Sequence, residues 1–497
     1  MTIIQEIITL KTNAKVIIIG AGIGGLSAAI RLAHQGYRVS IYEQLNRPGG
    51  KMGELHAEGF RFDTGPSVIT MRHVFEKLWR EVGRDLNDYV QFVPLDPVTR
   101  YFWRDGHVLD TTTNEDVMCE RISKFAPQDV DSYRQFMRYV QQLYDTISGP
   151  FLYRQQPGVL DLFKLPLTDV LKIDALRTMH QAVQAHFTDP HLIQLFDRFA
   201  TYNGSSPYQA PATLNVIAHV EMAMGAWYPK GGVFQLARAF EQLAKELGVE
   251  IHYQTPVAEI CTTGNTASGI RLKNGETVTA DSVIANADVA WTYETLLPQK
   301  AIAKQNTLHL EPSCSGFVLM LGVQGRHNDL AHHNIFFSDD YPREFDDIFK
   351  RKIPPSDPTL YVCITSKSDP EHAPANHENW FVLANAPYLS KAFDWDAQRE
   401  RYASQIKQQL FERTTKTDLL FERVMTPLDL QNIYGGNRGA IYGFSSNTKL
   451  AAFMRPNNRA RGIKNLYFAS GSAHPGGGVP LVTLSGMASA KCVIDDA

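Results

Sequence analysis

Gly20-Ala21-Gly22-Ile23-Gly24-Gly25, followed further along by Glu43, has the residue types and spacing that hold a dinucleotide. Gly20 permits a tight turn, Gly22 lets backbone approach a pyrophosphate and Gly25 lets helix and strand pack closely; Gly24, in the same run, is counted with them as cofactor-binding. Glu43 stands about 20 residues beyond the turn, where a carboxylate meets a ribose hydroxyl. Near the other end, Gly471 and then Gly476-Gly477-Gly478-Val479 form a second glycine loop whose backbone can approach an electron-rich group. Candidates for accepting a proton are His474, beside that loop, and Asp63, although each residue also has a structural reading. The chain shows no Ser/His/Asp arrangement, HExxH or EF-hand pattern, so neither hydrolysis nor metal catalysis is expected. His332-His333 lacks an acidic partner at ligand spacing, and no metal site is expected there.

These groups need elements to position them. Val16 to Ile19 is a β-branched run that predicts a strand; residues 26–35 predict a helix ended by Gly36, and 38–42 a second strand. The same order recurs at the end, with a strand over 465–469, the glycine loop and a helix over 481–494. Two glycine turns at opposite ends predict one long cofactor gripped twice. That favours FAD over NAD, because a second helix terminus stabilises a flavin ring that is reduced and anionic.

Between these ends, 52–62 and 90–109 read as short strands and 72–82 as a helix. From about 114 to 225 the pattern is helical, with helices expected over 129–147, 168–187, 190–202 and 212–224. This is an inserted cap. Its apolar stretches at 151–153 and 159–167 fit either the cap's core or a surface that meets a membrane or a greasy substrate. A helix over 233–247, strands over 249–253 and 257–261 and a hairpin through Asn274-Gly275 return to the nucleotide domain. Strands and helices over 313–428 then complete a substrate domain made of two segments.

The expected architecture is α/β: a Rossmann-like FAD-binding domain, a mixed-sheet substrate domain and an inserted helical cap. The segments are 1–112 (FAD-binding, with the start of the substrate domain), 113–225 (cap), 226–310 (FAD-binding), 311–440 (substrate) and 441–497 (FAD-binding). A chain of 497 residues has room for two or three such interleaved domains. Hydrophobic content of 44% and a formal charge of −3 leave no basic field for nucleic acid. Five scattered cysteines without CxxC spacing fit a reducing cytoplasm better than a disulfide framework or a zinc site. No signal peptide is expected before the first strand, and the longest apolar stretch, 16–30, is too short to cross a bilayer.

Together the motifs resemble the flavin-containing carotenoid desaturases of the bacterial phytoene desaturase type, related more distantly to amine oxidases. The resemblance covers nearly the whole chain. It rests on the Gly20 motif with Glu43, Arg47-Pro48-Gly49-Gly50-Lys51, Asp63-Thr64-Gly65-Pro66 and Tyr202-Asn203-Gly204-Ser205-Ser206-Pro207 with Ala210-Pro211-Ala212-Thr213-Leu214. Pro229-Lys230-Gly231-Gly232, Ala285-Asn286-Ala287-Asp288 and His474-Pro475-Gly476-Gly477-Gly478-Val479-Pro480 complete it. The resemblance implies non-covalent FAD, peripheral membrane attachment, an acceptor such as oxygen or quinone, and hydride removal from a long acyclic isoprenoid to extend its polyene. It also implies that Glu43 holds the adenosine ribose and that Gly49, Gly50 and Lys51 flank the pyrophosphate. Val257 would touch the adenine region and 471–479 would reach the flavin. Other reactions open to the same architecture are terminal-methyl oxidation, saturation and amine oxidation; a non-enzymatic isoprenoid escort is a further alternative.

Overall fold

The computed structural model describes residues 13–153, 172–297, 310–448 and 455–497. Its centre is a five-stranded sheet in the order Leu466–Phe468, Ser282–Ala285, Lys15–Ile19, Arg38–Tyr42, Glu250–His252. All four pairings are parallel, which requires both faces to be covered. Alternation along the first strand divides the work. Val16 and Ile18 enter a core with helices Ile23–His34, Phe234–Glu246 and Val479–Asp496. Ile17 and Ile19 face the small antiparallel sheet of Val257–Thr263, Thr266–Leu272 and Thr277–Thr279. The nucleotide sheet thus takes its strands from three separated segments, as the repeated strand, glycine loop and helix order predicts.

The second sheet has seven strands: Leu419–Met425, Ser315–Gln324, His377–Ala386, Leu360–Cys363, His333–Phe336, Arg100–Phe102 and Val108–Asp110. It is mixed, because His333–Phe336 pairs in parallel with Arg100–Phe102 and its other pairings are antiparallel. Phe317, Leu319 and Leu321 pack against helix Trp395–Arg413. Val318 and Met320, on the other face, meet Phe60 and Phe62. This is the expected substrate domain, with strands at 100–110 and 315–425.

The helical segment does not stand apart. Phe136, Leu195 and Phe196 share one core with Tyr101, Leu109 and Ile335 of the sheet edge, so the cap is welded to the substrate domain. Within the expected helix over 168–187, the described part is helical at Lys172 and then not again until Met179–Gln184. Asp174 adopts φ 51°, and Thr178 with Gln181 forms a capping box that starts the helix afresh. Residues 159–167 lie outside the described residues. Phe151 is buried and the Tyr153 hydroxyl bonds His73 and Tyr144, so that end of the apolar region turns inward. Among the described residues, no helix is long and apolar enough to cross a membrane.

Candidate flavin site

Both glycine loops open onto one cavity of about 440 Å³. Its nucleotide side is formed by Gly20, Gly22, Glu43, Gly49, Gly50, Lys51 and Val257, and its terminal side by Gly471, Gly477, Gly478 and Val479. Gly316, Val318, Ile335, Tyr361 and Leu383 of the second sheet close it with a largely apolar wall.

The first turn is built for close approach. The Gly20 N–H donates to the Tyr42 carbonyl at 2.8 Å, while the Asn286 Nδ2 donates to the Gly20 carbonyl at 3.1 Å. A Cβ on Gly22 would stand 2.6 Å from that same Nδ2, so the turn and the end of strand Ser282–Ala285 interlock. Glu43 is buried, and its two oxygens accept from the Ala21 N–H at 2.6 Å and the Leu45 N–H at 2.8 Å. Burial raises its carboxyl pKa, against those N–H donors and Arg47, which favour the charge. The carboxylate is therefore fixed in place with lone pairs left for a ribose.

Several expected contacts are redistributed. Gly24 and Gly25 are not among the cavity-lining residues; a Cβ on Gly24 would be 2.2 Å from the Ala469 carbonyl oxygen and one on Gly25 2.3 Å from that of Gly20. They serve helix packing. Gly476, also outside the lining set, lies against the Arg455 guanidinium. Lys51 does line the cavity, but its ammonium donates to the Ile441 carbonyl at 2.9 Å. Burial lowers its pKa, while Asp288 opposes that shift. His474 lies outside the cavity lining; its N–H donates to the Pro456 carbonyl and its own carbonyl accepts from Asn458. Asp63 accepts from the N–H groups of Val233 and Phe234 and pairs with Arg61 at 2.7 Å, which is a helix-capping role. Gly232, at φ 100°, leaves room for that Arg61 guanidinium, so the Pro229 motif supports the cap of the helix that follows.

Three polar features were missed from sequence. Asp288 lines the cavity and caps a turn by accepting from Ala290 and Trp291; burial raises its pKa. Arg455 is partly buried and donates to four neutral oxygens, those of Tyr442, Phe444, Gly471 and Asn203. Desolvation brings its pKa down to about 10. On the cavity wall, Arg198 lies among the rings of Tyr101, Phe199 and Tyr202 and pairs with Glu221 at 3.6 Å. Tyr202 donates to the same Glu221. Desolvation lowers the Arg198 pKa, but Tyr101, Tyr202 and Glu221 outweigh it and raise the value overall. The Asn-Ala-Asp run at 286–288 was a usable signal for Asp288. Nothing local marked the other two.

The model of the family described as flavin containing amine oxidoreductase matches residues 23–494. The chain belongs to that family. A 4,4'-diapolycopene oxygenase from Methylomonas sp is 39% identical, over 97% of this chain and 99% of that protein. A 4,4'-diaponeurosporene oxygenase from Staphylococcus haemolyticus is 37% identical, with 96% of each chain covered. Among solved structures, an oxidoreductase from Methanosarcina mazei aligns with a TM-score of 0.66 at 18% identity, covering 97% of this chain and 100% of that one. Cyclohexylamine oxidase from Brevibacterium oxydans aligns at 0.62 and 15% identity, covering 97% and 99%. At such identities the structural likeness speaks for the fold.

As a member of this flavin family the chain is an oxidoreductase, and FAD is its cofactor. The residues fit it: Gly20 turns at φ 97°, Gly22 has no room for a Cβ beside Asn286, Glu43 is placed for a ribose, and helix Val479–Asp496 opens on the second loop. Bound there, FAD supplies a two-electron acceptor. The chain's own part is to hold the carboxylate, the two glycine loops and the apolar wall in register and to exclude water.

Proposed function

We propose that this flavoenzyme oxidises a long, acyclic, conjugated isoprenoid at its terminal methyl carbon to the aldehyde, one atom of molecular oxygen entering the product and the other leaving as water with the two hydrogens lost. The observation that carries this is the 37–39% identity, along at least 95% of this chain, to oxygenases named for diapolycopene and diaponeurosporene. The apolar wall suits such a substrate, since a polyene offers area to bury and no hydrogen bonds to satisfy. Arg198 and Tyr202 supply the polar contact for the oxidised end. A CH–CH desaturase would use the same wall, and the two readings differ in which bond is attacked. The purified, FAD-loaded enzyme is incubated with diapolycopene or diaponeurosporene under oxygen-18. Products that gain labelled oxygen support terminal oxidation; products that only lose pairs of hydrogens return the assignment to desaturation.

The substrate is insoluble in water, so we also propose a peripheral, cytoplasmic-face attachment to membrane. Leu176, 78% exposed, lies close in sequence to the apolar stretch at 159–167. Flotation with lipid vesicles tests this, and a protein that stays at the bottom of the gradient rules it out.

A further inference from the structure

His332, His333 and Cys363 form a buried cluster whose ligand atoms all lie within 4.8 Å of one another. The sequence does not show it, because the third member comes from the neighbouring strand: antiparallel pairing sets His333 opposite Cys363. All three side chains are well buried, at 6%, 0% and 2% relative exposure, and Cys363 is a free thiol.

The two imidazoles lie edge to face, with ring centroids 4.5 Å apart, and each is held by a hydroxyl at Nδ1. His332 Nδ1 is held by the Ser368 hydroxyl at 2.7 Å and His333 Nδ1 by the Tyr361 hydroxyl at 2.8 Å. Tyr361 is tied in turn to Ser67 at 2.6 Å. With Nδ1–H donating outward, each Nε2 is left as a lone pair, and both Nε2 atoms are buried without a hydrogen-bond partner. Two orphaned buried acceptors beside a thiol carry a desolvation cost that hydrogen bonding does not offset. Hydroxyl partners on the far nitrogen are also the arrangement that fixes the tautomer of a metal-ligating histidine.

We propose that His332 Nε2, His333 Nε2 and Cys363 Sγ bind one thiophilic transition-metal ion, zinc(II) or copper(I). Imidazole and thiolate together select these ions, and bond lengths of about 2.0–2.3 Å require only small inward rotations of the three side chains. Binding displaces the thiol proton to solvent, forms the metal–sulfur bond and changes no oxidation state. Copper(I) with one thiolate is neutral overall, whereas zinc(II) leaves one positive charge, towards which Asp369 is attractive and Arg198 repulsive. The ion pins strand His333–Phe336 to Leu360–Cys363, the pair that presents Ile335 and Tyr361 to the cavity. Its role is structural.

The full chain, loaded with FAD, is purified without an affinity metal, incubated separately with zinc(II) and with copper(I) under reductant, and desalted before metal analysis. The expected result is about one equivalent of one ion in the wild type, falling about tenfold or more in Cys363→Ser and in His333→Ala with flavin content unchanged. Zinc-specific and copper(I)-specific chelators decide which ion is held more tightly. Cobalt(II) in the wild-type protein gives a second readout, a sulfur-to-metal charge-transfer band, which stands even where a variant does not fold. Metal below about a tenth of an equivalent for both ions, or uptake unchanged in soluble Cys363→Ser, overturns the site.

Discussion

Gly486 of the last helix sits directly on Gly24 of the first: a Cβ on Gly486 would stand 2.2 Å from the Gly24 carbonyl oxygen and 2.7 Å from the Ser27 Cβ. The two helices that bring the glycine loops to the cavity are therefore locked backbone to backbone. Gly486→Ala is expected to lose about 1–3 kcal/mol of stability from overpacking and to retain FAD less well. Thermal unfolding with and without added FAD checks this; an unchanged midpoint would contradict the locking.

Arg455 places a partly buried positive charge against the Gly471 carbonyl at 3.1 Å, on the terminal glycine loop expected to reach the flavin. An anionic reduced ring gains from a nearby cation more than a neutral oxidised one does. Arg455→Met is expected to move the flavin midpoint potential to more negative values by tens of millivolts, about 30 mV for each ~1.4 kcal/mol of lost stabilisation. Spectroelectrochemistry measures it, and a potential that stays in place removes Arg455 from that role.

Under the proposed function, Arg198, paired with Glu221, is the group that meets a substrate oxygen. Arg198→Lys keeps the charge and loses the planar geometry. The expected outcome is a KM raised about tenfold, ~1.4 kcal/mol, for a polyene already bearing oxygen at its end, with little change for the hydrocarbon. Equal losses on both substrates would mean that Arg198 only maintains the wall.

Glu344 gives a pH dependence. Burial pushes its carboxyl pKa up to about 7, against hydrogen bonds from Thr359 and Ser338 that favour the charged form. The folded protein therefore binds this proton more tightly than the unfolded chain does. Below the unfolded carboxyl value the two states are equally protonated; as pH rises from there through about 7, stability falls, by on the order of 3 kcal/mol from this group. Glu344→Gln is expected to flatten that part of the curve. Denaturant midpoints from pH 4 to 8 test it, and an identical slope in the variant would count against the assignment.

What was legible in the sequence is what backbone geometry demands. Gly20, Gly22 and Glu43 declare themselves because a tight turn and a ribose site impose fixed spacing, and the same applies to Gly477 and Gly478. Gly24 reads as part of that motif, yet its constraint comes from Ala469 and Gly486, more than 440 residues away. Arg198 with Glu221 and His333 with Cys363 were invisible for the same reason: their partners are set by the packing of elements, not by local spacing. The break at Thr178 was written in the capping box, but the long apolar periodicity around it spoke louder for one continuous helix.

The order of strands in the central sheet carries a consequence for how the protein assembles. Leu466–Phe468 pairs with Ser282–Ala285, which pairs in turn with the first strand, so one jaw of the cofactor grip is supplied by a segment more than 400 residues from the other. Without that segment the sheet keeps an open edge and the cavity lacks a side: a polypeptide cut before 466 is expected to be colourless, and the yellow of bound flavin reports that both jaws have met.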